Sequence, residues 1–425
     1  MMGSSIRRNL FAGWILVLTC VFHDASLAEA ETRPASVVKV GCLYPLTGPG
    51  GLYGRDSAIA IEMAQDFLRS STDKAYPVLD VSIEDTRSKT LRSIQIARKF
   101  IEEDKVAFLC GVVSSNIARA VSERARESET FFIGTDHASP SLISEALHPF
   151  YFRVNNGTRL SMLAGAKYIK QKYEHQNKPL KIAFIGPDYD YGYQAWEDLR
   201  AFLSSMNMEL DIRGEYWSKL FETDFITYIQ QLSRSDIDIV VSGHWGLDLV
   251  TFVKQANQLG LFNQTQIMNF DAGGNYEILA ELGNDMPLGM VLSARHHLNW
   301  PPTKRNREFV EAFREKAGRY PSYAAQGAYT GILAIAQAVH QAGGVADKEA
   351  IRVALEGLKL NLPEDPEGFQ SYMDPDSHQM MQVQAIGRTM FNNNFPPATS
   401  QLGEWSIYYP PKAWPRLDGD GSNSP

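Results

Sequence analysis

KVGCLYPLTGPGGLYGRDSAIAIEMA, residues 39–64, decides how this chain is built. An apolar run ends at Tyr44, four glycines (48, 50, 51 and 54) crowd the turn, and an amphipathic run follows. The order is strand, turn, helix. Gly-rich turns in this position often cradle a phosphate, and the spacing tests that reading. A P-loop needs Lys followed by Ser or Thr after its last glycine, but Arg55 and Asp56 follow Gly54. A Gly-x-Gly-x-x-Gly motif counted from Gly48 needs glycine at 53, where Tyr53 stands. Asp56 reads as a negative charge in the first helical turn, which suits the helix dipole and repels phosphate. What the turn does offer is close backbone approach, free amides at a helix N-terminus and Tyr53 at the rim.

The same unit returns later. KIAFIGP at 181–187 echoes KVGCLYP at 39–45, and each precedes a Tyr-Gly pair, Tyr53-Gly54 and Tyr191-Gly192, that opens a helix. Between them lie the strand candidates VLDVSIE, VAFLCGVV and FFIG; after them come IDIVVSG, QIMNF and GMVLSA. Ile59, Met63 and Phe67 mark one expected helical face, and Leu91, Ile94 and Ile101 another. Helices alternating with short, continuously apolar strands predict parallel sheets covered on both faces. The architecture expected is α/β, with two similar doubly wound parallel-sheet lobes joined by a hinge. Chain crossings are expected near Phe152-Arg153-Val154 and near Ser293-Ala294-Arg295, followed by helices around 303–318 and 322–342 and strands near 380–388 and 404–409.

Composition narrows the classes. Arg7 and Arg8, the apolar run LFAGWILVLTCVF and Ala28-Glu29-Ala30 read as a signal peptide over 1–30. Removing it leaves 425 − 30 = 395 residues, natural for two domains. The formal net charge is −8 with no basic run, so nucleic acid is a poor partner. Beyond the leader only Cys42 and Cys110 remain, both in strand-like runs, and the expectation is two buried thiols rather than a bridge. They offer no Cys-x-x-Cys spacing for zinc, and no metal or cofactor is expected. PPKAWPRLDGDGSNSP reads as a disordered tail over 410–425.

The opening stretch, followed in order by GVVSSNIARAVSERARE, HPFYFRVNN, PDYDYGYQAWEDL and FVKQANQLGL, resembles the leucine/isoleucine/valine-binding family. These are periplasmic solute-binding proteins of type I fold that serve ABC importers. The serial order of the motifs carries the resemblance, over roughly residues 37–345. It implies an N-terminal lobe of 36–153 and 296–372 and a C-terminal lobe of 154–295 and 373–409. It further implies a monomeric periplasmic receptor for a small polar nitrogen-containing solute, such as an amino acid or amide, with an importer permease as partner. A ligand-sensing subunit for a membrane sensor would use the same cleft.

Ligands of open α/β sheets bind outside the carboxyl ends of the strands. By resemblance Ser114, with Ser115, stands where the ligand carboxylate is held; as a helix-opening residue Ser114 also reads as a plain N-cap. Asp271 matches the acidic residue that takes the ammonium, and Tyr53, Tyr191 and Trp245 lie at or beside the aromatic positions. The run GTDHASPSL departs from the family pattern, with Asp136 in the carboxylate loop, Ala138 at the usual threonine and Ser139 one residue later. Two carboxylates, Asp136 and Asp271, favour a cationic or N–H-rich ligand. Catalysis is not expected: Ser114 lacks a nucleophile elbow, and adjacent Asp136 and His137 rarely form base and orienter. His296-His297, on opposite faces of a strand, reads as a solvated pair.

Overall fold

The computed structural model describes residues 37–72, 76–176, 178–412 and 414; the expected leader and most of the expected tail lie outside these residues. The chain begins with β1 (Val37–Tyr44), α1 (Gly51–Ser70), β2 (Val78–Asp85), α2 (Thr90–Glu102), β3 (Phe108–Gly111), α3 (Ser115–Ser128), β4 (Phe131–Gly134) and β5 (Tyr151–Arg153). It continues through α4 (Thr158–Tyr173), β6 (Leu180–Pro187), α5 (Asp190–Ser205), β7 (Leu210–Ser218), α6 (Ile226–Arg234), β8 (Ile239–Ser242), α7 (Gly246–Gln258), β9 (Gln266–Asn269), α8 (Tyr276–Leu282) and β10 (Val291–Ser293). It then runs through α9 (Lys304–Ala317), α10 (Tyr323–Ala342), α11 (Lys348–Glu356), β11 (Lys359–Leu360), β12 (Ser371–Asp374), β13 (Gln379–Met381), β14 (Gln384–Phe391) and β15 (Ser400–Tyr408).

Two sheets result, ordered β11-β12-β13-β5-β4-β3-β1-β2 and β15-β14-β10-β9-β8-β6-β7. Each has the expected parallel core, and α1 packs along α10 and α9 over the first. Each also carries an antiparallel margin that the expectation of parallel sheets omitted: β12 against β11 and β13, and β14 against β10 and β15. Short connections such as the one after Asp374 can only join antiparallel neighbours, because a parallel return needs a long crossover. Since β13 pairs with β5, β12 and β13 belong to the first lobe. The chain therefore passes from the first sheet to the second for the last time between Met381 and Gln384.

The repeated Tyr-Gly pair has a packing reason. A Cβ at Gly54 would run into the carbonyl oxygen of Pro45, and one at Gly192 into that of Pro187. In both lobes the first turn of the helix rests directly on the strand's end, which only glycine permits. The buried faces are rotated from those expected. In α1, Ala60, Ile61, Ala64 and Leu68 are buried while Phe67 is half exposed; in α2, Ser93, Ile96, Ala97 and Phe100 are buried and Leu91 is 78% exposed. Small residues completed the inner stripe in each case, and the large apolar ones misplaced it. Asp56 lies in the second turn, fully buried, paired with Arg319 and accepting from the Ser322 amide at 2.8 Å, so its work is to join α1 to the α9–α10 connection.

The two cysteines form a disulfide. Parallel pairing of β1 with β3 makes Cys42 and Cys110 direct cross-strand partners, a register that the sequence alone did not supply. The His pair is also buried, not solvated: His296 Nε2 bonds Asn306 Oδ1 at 2.8 Å and His297 packs edge-on against Trp405.

Candidate functional site

Strand ends of both sheets point their side chains into one circuit of contacts. Tyr53, in the first turn of α1, has its ring 5.3 Å from that of Tyr323, which opens α10. The Tyr323 ring lies 4.9 Å from the Arg295 guanidinium. Arg295, just past β10, donates from Nη2 to Asp271 Oδ2 at 2.7 Å and from Nε to Oδ1 at 3.3 Å. Asp271, just past β9, also accepts from the Tyr191 hydroxyl at 2.8 Å and from Ser161 at 2.9 Å. Tyr191 stacks on Tyr189 at 5.8 Å, and the Tyr189 hydroxyl accepts from Trp245 Nε1 at 3.0 Å. The Trp245 ring, at the N-cap of α7, returns to Tyr53 at 6.1 Å. Tyr53 and Tyr323 belong to the first lobe, Tyr189, Tyr191, Trp245 and Asp271 to the second.

Asp136 joins this circuit from the end of β4. Its carbonyl oxygen accepts from Arg295 Nη1, its Oδ1 lies 3.5 Å from the same nitrogen, and its Oδ2 is buried with no hydrogen-bond partner. Burial pushes its carboxyl up to about 6, against the pull of Arg295 and of the neighbouring Tyr323 hydroxyl. Burial also raises Asp271, but the charge and hydrogen bonds of Arg295, with those of Tyr191 and Ser161, outweigh it and hold that carboxyl below its ordinary value. Burial lifts Tyr53, Tyr191 and Tyr323 well above the usual phenol value, so all three keep their protons as donors. At neutral pH the centre of the circuit thus holds two carboxylates and one guanidinium.

Five of the nine residues expected from the sequence meet here: Tyr53, Asp136, Tyr191, Trp245 and Asp271. The other four lie in a neighbouring patch. Ser115 Oγ accepts from the Ser139 amide at 3.3 Å, the Ser139 carbonyl accepts from Arg153, and the Ala138 carbonyl accepts from the Thr158 amide at 3.0 Å. Ser114 is the N-cap of α3 in backbone position, yet its hydroxyl makes no capping bond. The Asp136-His137 pair does not work as a dyad. His137 turns into the sheet, Nδ1 against the Val112 carbonyl at 3.1 Å and Nε2 against the Tyr151 hydroxyl at 2.7 Å, and burial lowers it to about 3.

Three members of the circuit escaped the sequence reading. Arg295 was visible only as part of a crossing segment, though two unpaired acidic strand ends gave a signal that a cation was needed. Tyr189 and Tyr323 open helices after strand ends or loops, as Tyr53 does, and that position was the signal available for them. The consequence is a change in the expected chemistry: the cation that Asp271 holds is Arg295 of the chain itself.

A family model described as periplasmic binding protein matches residues 37–390. The Leu/Ile/Val-binding protein homolog 7 of Brucella abortus (strain 2308) is 25% identical over 372 residues, covering 82% of this chain and 88% of the relative. Among solved structures, a solute binding protein of an ABC transporter from Rhodopseudomonas palustris HaA2, in complex with p-hydroxybenzoic acid, aligns with a TM-score of 0.77 at 20% identity, covering 88% of this chain and 98% of that one. A leucine binding protein from Thermotoga maritima MSB8 aligns at 0.72 and 17%, covering 88% and 99%. An amino acid ABC transporter substrate-binding protein from Pseudomonas fluorescens Pf-5 aligns at 0.76 and 18%, covering 88% and 97%. The chain belongs to the periplasmic binding protein family and has the two-lobed type I fold of the substrate-binding proteins of ABC transporters.

Proposed function

We propose that this protein is an exported, monomeric solute receptor that encloses a small polar nitrogen-containing ligand between its lobes and delivers it to an ABC importer permease. One observation carries the reading: aromatic and ionisable side chains from both lobes converge in a single circuit in which Asp136 Oδ2 is a buried acceptor without a partner. A buried acceptor left empty costs roughly 1–3 kcal/mol, and a ligand N–H relieves that cost. Asp271, already neutralised by Arg295, orients Tyr191 and the guanidinium around the ligand rather than carrying its charge. The relatives named above bind amino acids or aromatic acids by their descriptions, and both classes offer the flat or branched apolar body that Tyr53, Tyr191 and Trp245 would enclose.

The test is a melting screen of the purified protein against amino acids, amides, amines and aromatic acids. A solute that binds only the folded state stabilises it by about 2.7 kcal/mol at a hundred times its dissociation constant. The expected hit carries an N–H group, and its affinity falls in Asp136→Ala. A hit that binds Asp136→Ala as tightly as wild type rejects this placement, and a screen without any hit rejects the receptor reading.

A further inference from the structure

Beside the circuit, and sharing Tyr53 and Trp245 with it, lies a separate space. It is a cavity of about 180 Å³ between the start of α1 on one side and the starts of α7 and α8 on the other. Three of its walls are rings: Tyr53, Phe221 and Trp245. They are inclined to one another, Tyr53 by 59° and Phe221 by 74° to Trp245, so none covers another's face by stacking. The indole N–H is already committed to Tyr189, which leaves the ring as what Trp245 offers.

Three carboxylates complete the lining, Asp248, Glu277 and Glu281, and no Lys, Arg or His of the described residues does so. Two of them have partners. Asp248 Oδ2 accepts from the Phe221 amide at 2.9 Å, and Glu281 lies 3.8 Å from Lys254. Glu277 is different: both its oxygens are shielded from solvent and neither has a hydrogen-bond partner, although the Tyr53 hydroxyl is a neighbour. An unpartnered buried carboxylate beside three aromatic rings is a poor place for an anion and gains nothing from a neutral hydrocarbon. A cation without strong hydration fits both features, since ring faces attract it and the carboxylate supplies the counter-charge.

We propose that this outer chamber receives an organic ammonium group of the solute, held between Tyr53, Phe221 and Trp245 with Glu277 as its counter-ion. The inference rests on the receptor reading and names the chemistry of the ligand's outer end, while Asp136 serves the inner end. It also differs from the expectation drawn from sequence, which gave the positive end to Asp271 and Asp136.

The probe is tetramethylammonium chloride, with tert-butanol as a neutral counterpart of similar shape and sodium benzoate as an anion, titrated calorimetrically into the purified protein. Tetramethylammonium should bind at millimolar concentration or below, and the other two should not bind in this chamber. Glu277→Gln should weaken tetramethylammonium by roughly tenfold and Phe221→Leu by several-fold. Phe221 is 43% exposed, so that variant folds regardless of the outcome for Glu277. Absence of tetramethylammonium binding, equal binding of tert-butanol, or unchanged affinity in Glu277→Gln each overturns the proposal. If a solute from the melting screen binds while tetramethylammonium does not, the receptor reading stands and only the ammonium chamber falls. If neither binds, both fall.

Discussion

Arg295 Nη2 donates to Asp271 Oδ2 at 2.7 Å with both side chains almost wholly buried, 6% and 2% exposed. The same guanidinium reaches the backbone carbonyl of Asp136, so one side chain from the crossing segment ties the strand ends of both lobes together. Breaking a buried pair from one side leaves an uncompensated charge and costs about 3–5 kcal/mol. Arg295→Met should destabilise the protein by that amount in urea unfolding. Asp271→Asn in the same background removes the stranded charge, keeps a group that Tyr191 and Ser161 can bond, and should recover part of the loss. A single Arg295→Met variant within about 1 kcal/mol of wild type would show that the pair is not what holds the strand ends.

In the proposed receptor, the seam between Tyr53 and Trp245 would be the corresponding contact for ligand capture. Its rings come from different lobes, 6.1 Å apart, so the seam exists only when the lobes are closed. Contacts that exist in one state bias the equilibrium toward it. Solution scattering should therefore give a smaller radius of gyration with the ligand found by screening than without it. Trp245→Ala should lower affinity by about tenfold, since truncating an interface tryptophan commonly costs more than 1 kcal/mol, and should leave more of the protein open at a given ligand concentration. Equal radii with and without saturating ligand count against a hinge.

Strand–helix alternation and the echo of KVGCLYP in KIAFIGP made the two lobes legible, because continuous apolar strands have few other destinations. Register was not legible: whether Cys42 faces Cys110 depends on which strand lies beside β1, and nothing in either run states it. Helix faces were misjudged in α1 and α2 because alanine, serine and glycine supplied much of the buried stripe. Of the residues expected next to strand ends and glycines, Tyr53, Tyr191, Trp245 and Asp271 meet in one circuit. Arg295 and Glu277 were not foreseen, since each depends on tertiary neighbours that the local sequence does not name: Arg295 on Asp271 and Asp136, Glu277 on the cavity wall that includes Tyr53.

The Cys42–Cys110 bridge closes a loop across a sequence separation of 68. Cross-links of this span typically contribute about 2–4 kcal/mol by restricting the unfolded chain. A Cys42→Ala/Cys110→Ala variant should lose that much stability while binding the ligand as before, because both sulfurs are buried in the hydrophobic core. Thiol reagents should find no reactive cysteine of this pair in the native protein. Recovery of two reactive thiols without denaturant is the contrary result.

Buried imidazoles set the acid limit. His244, His296 and His297 are held neutral by burial, lowered to about 3, 4 and 3. The unfolded chain takes up protons below about pH 6.5 and the folded one does not, so stability present above that pH is lost as pH falls. One such histidine accounts for about 2 kcal/mol between pH 7 and 5. His244→Gln, whose partners Ser218 and Ser242 can bond an amide, should start less stable than wild type but lose about 2 kcal/mol less over that interval. Parallel acid limbs in the two proteins exclude His244 as a contributor.

Glu277 titrates in the opposite sense. Burial is the main cause that lifts its carboxyl to about 8, with Asp56 and Asp136 adding to the rise and Tyr53 opposing it. Between about pH 4.5 and 8 the folded protein therefore keeps a proton that the unfolded chain has released, and this contribution to stability is lost as pH rises through 8. A cation entering the outer chamber favours the carboxylate and expels that proton. Tetramethylammonium affinity should accordingly rise with pH between about 7 and 9, and its binding heat near pH 7 should depend on the ionisation enthalpy of the buffer. Asp136, pushed up to about 6, is already ionised over most of that range and adds little to its slope. Glu277→Gln should abolish both the pH dependence and the buffer dependence, and it should flatten the decline in melting temperature between about pH 4.5 and 8. If wild-type affinity is constant from about pH 7 to 9, no proton leaves on binding, and the counter-ion of the chamber is not Glu277.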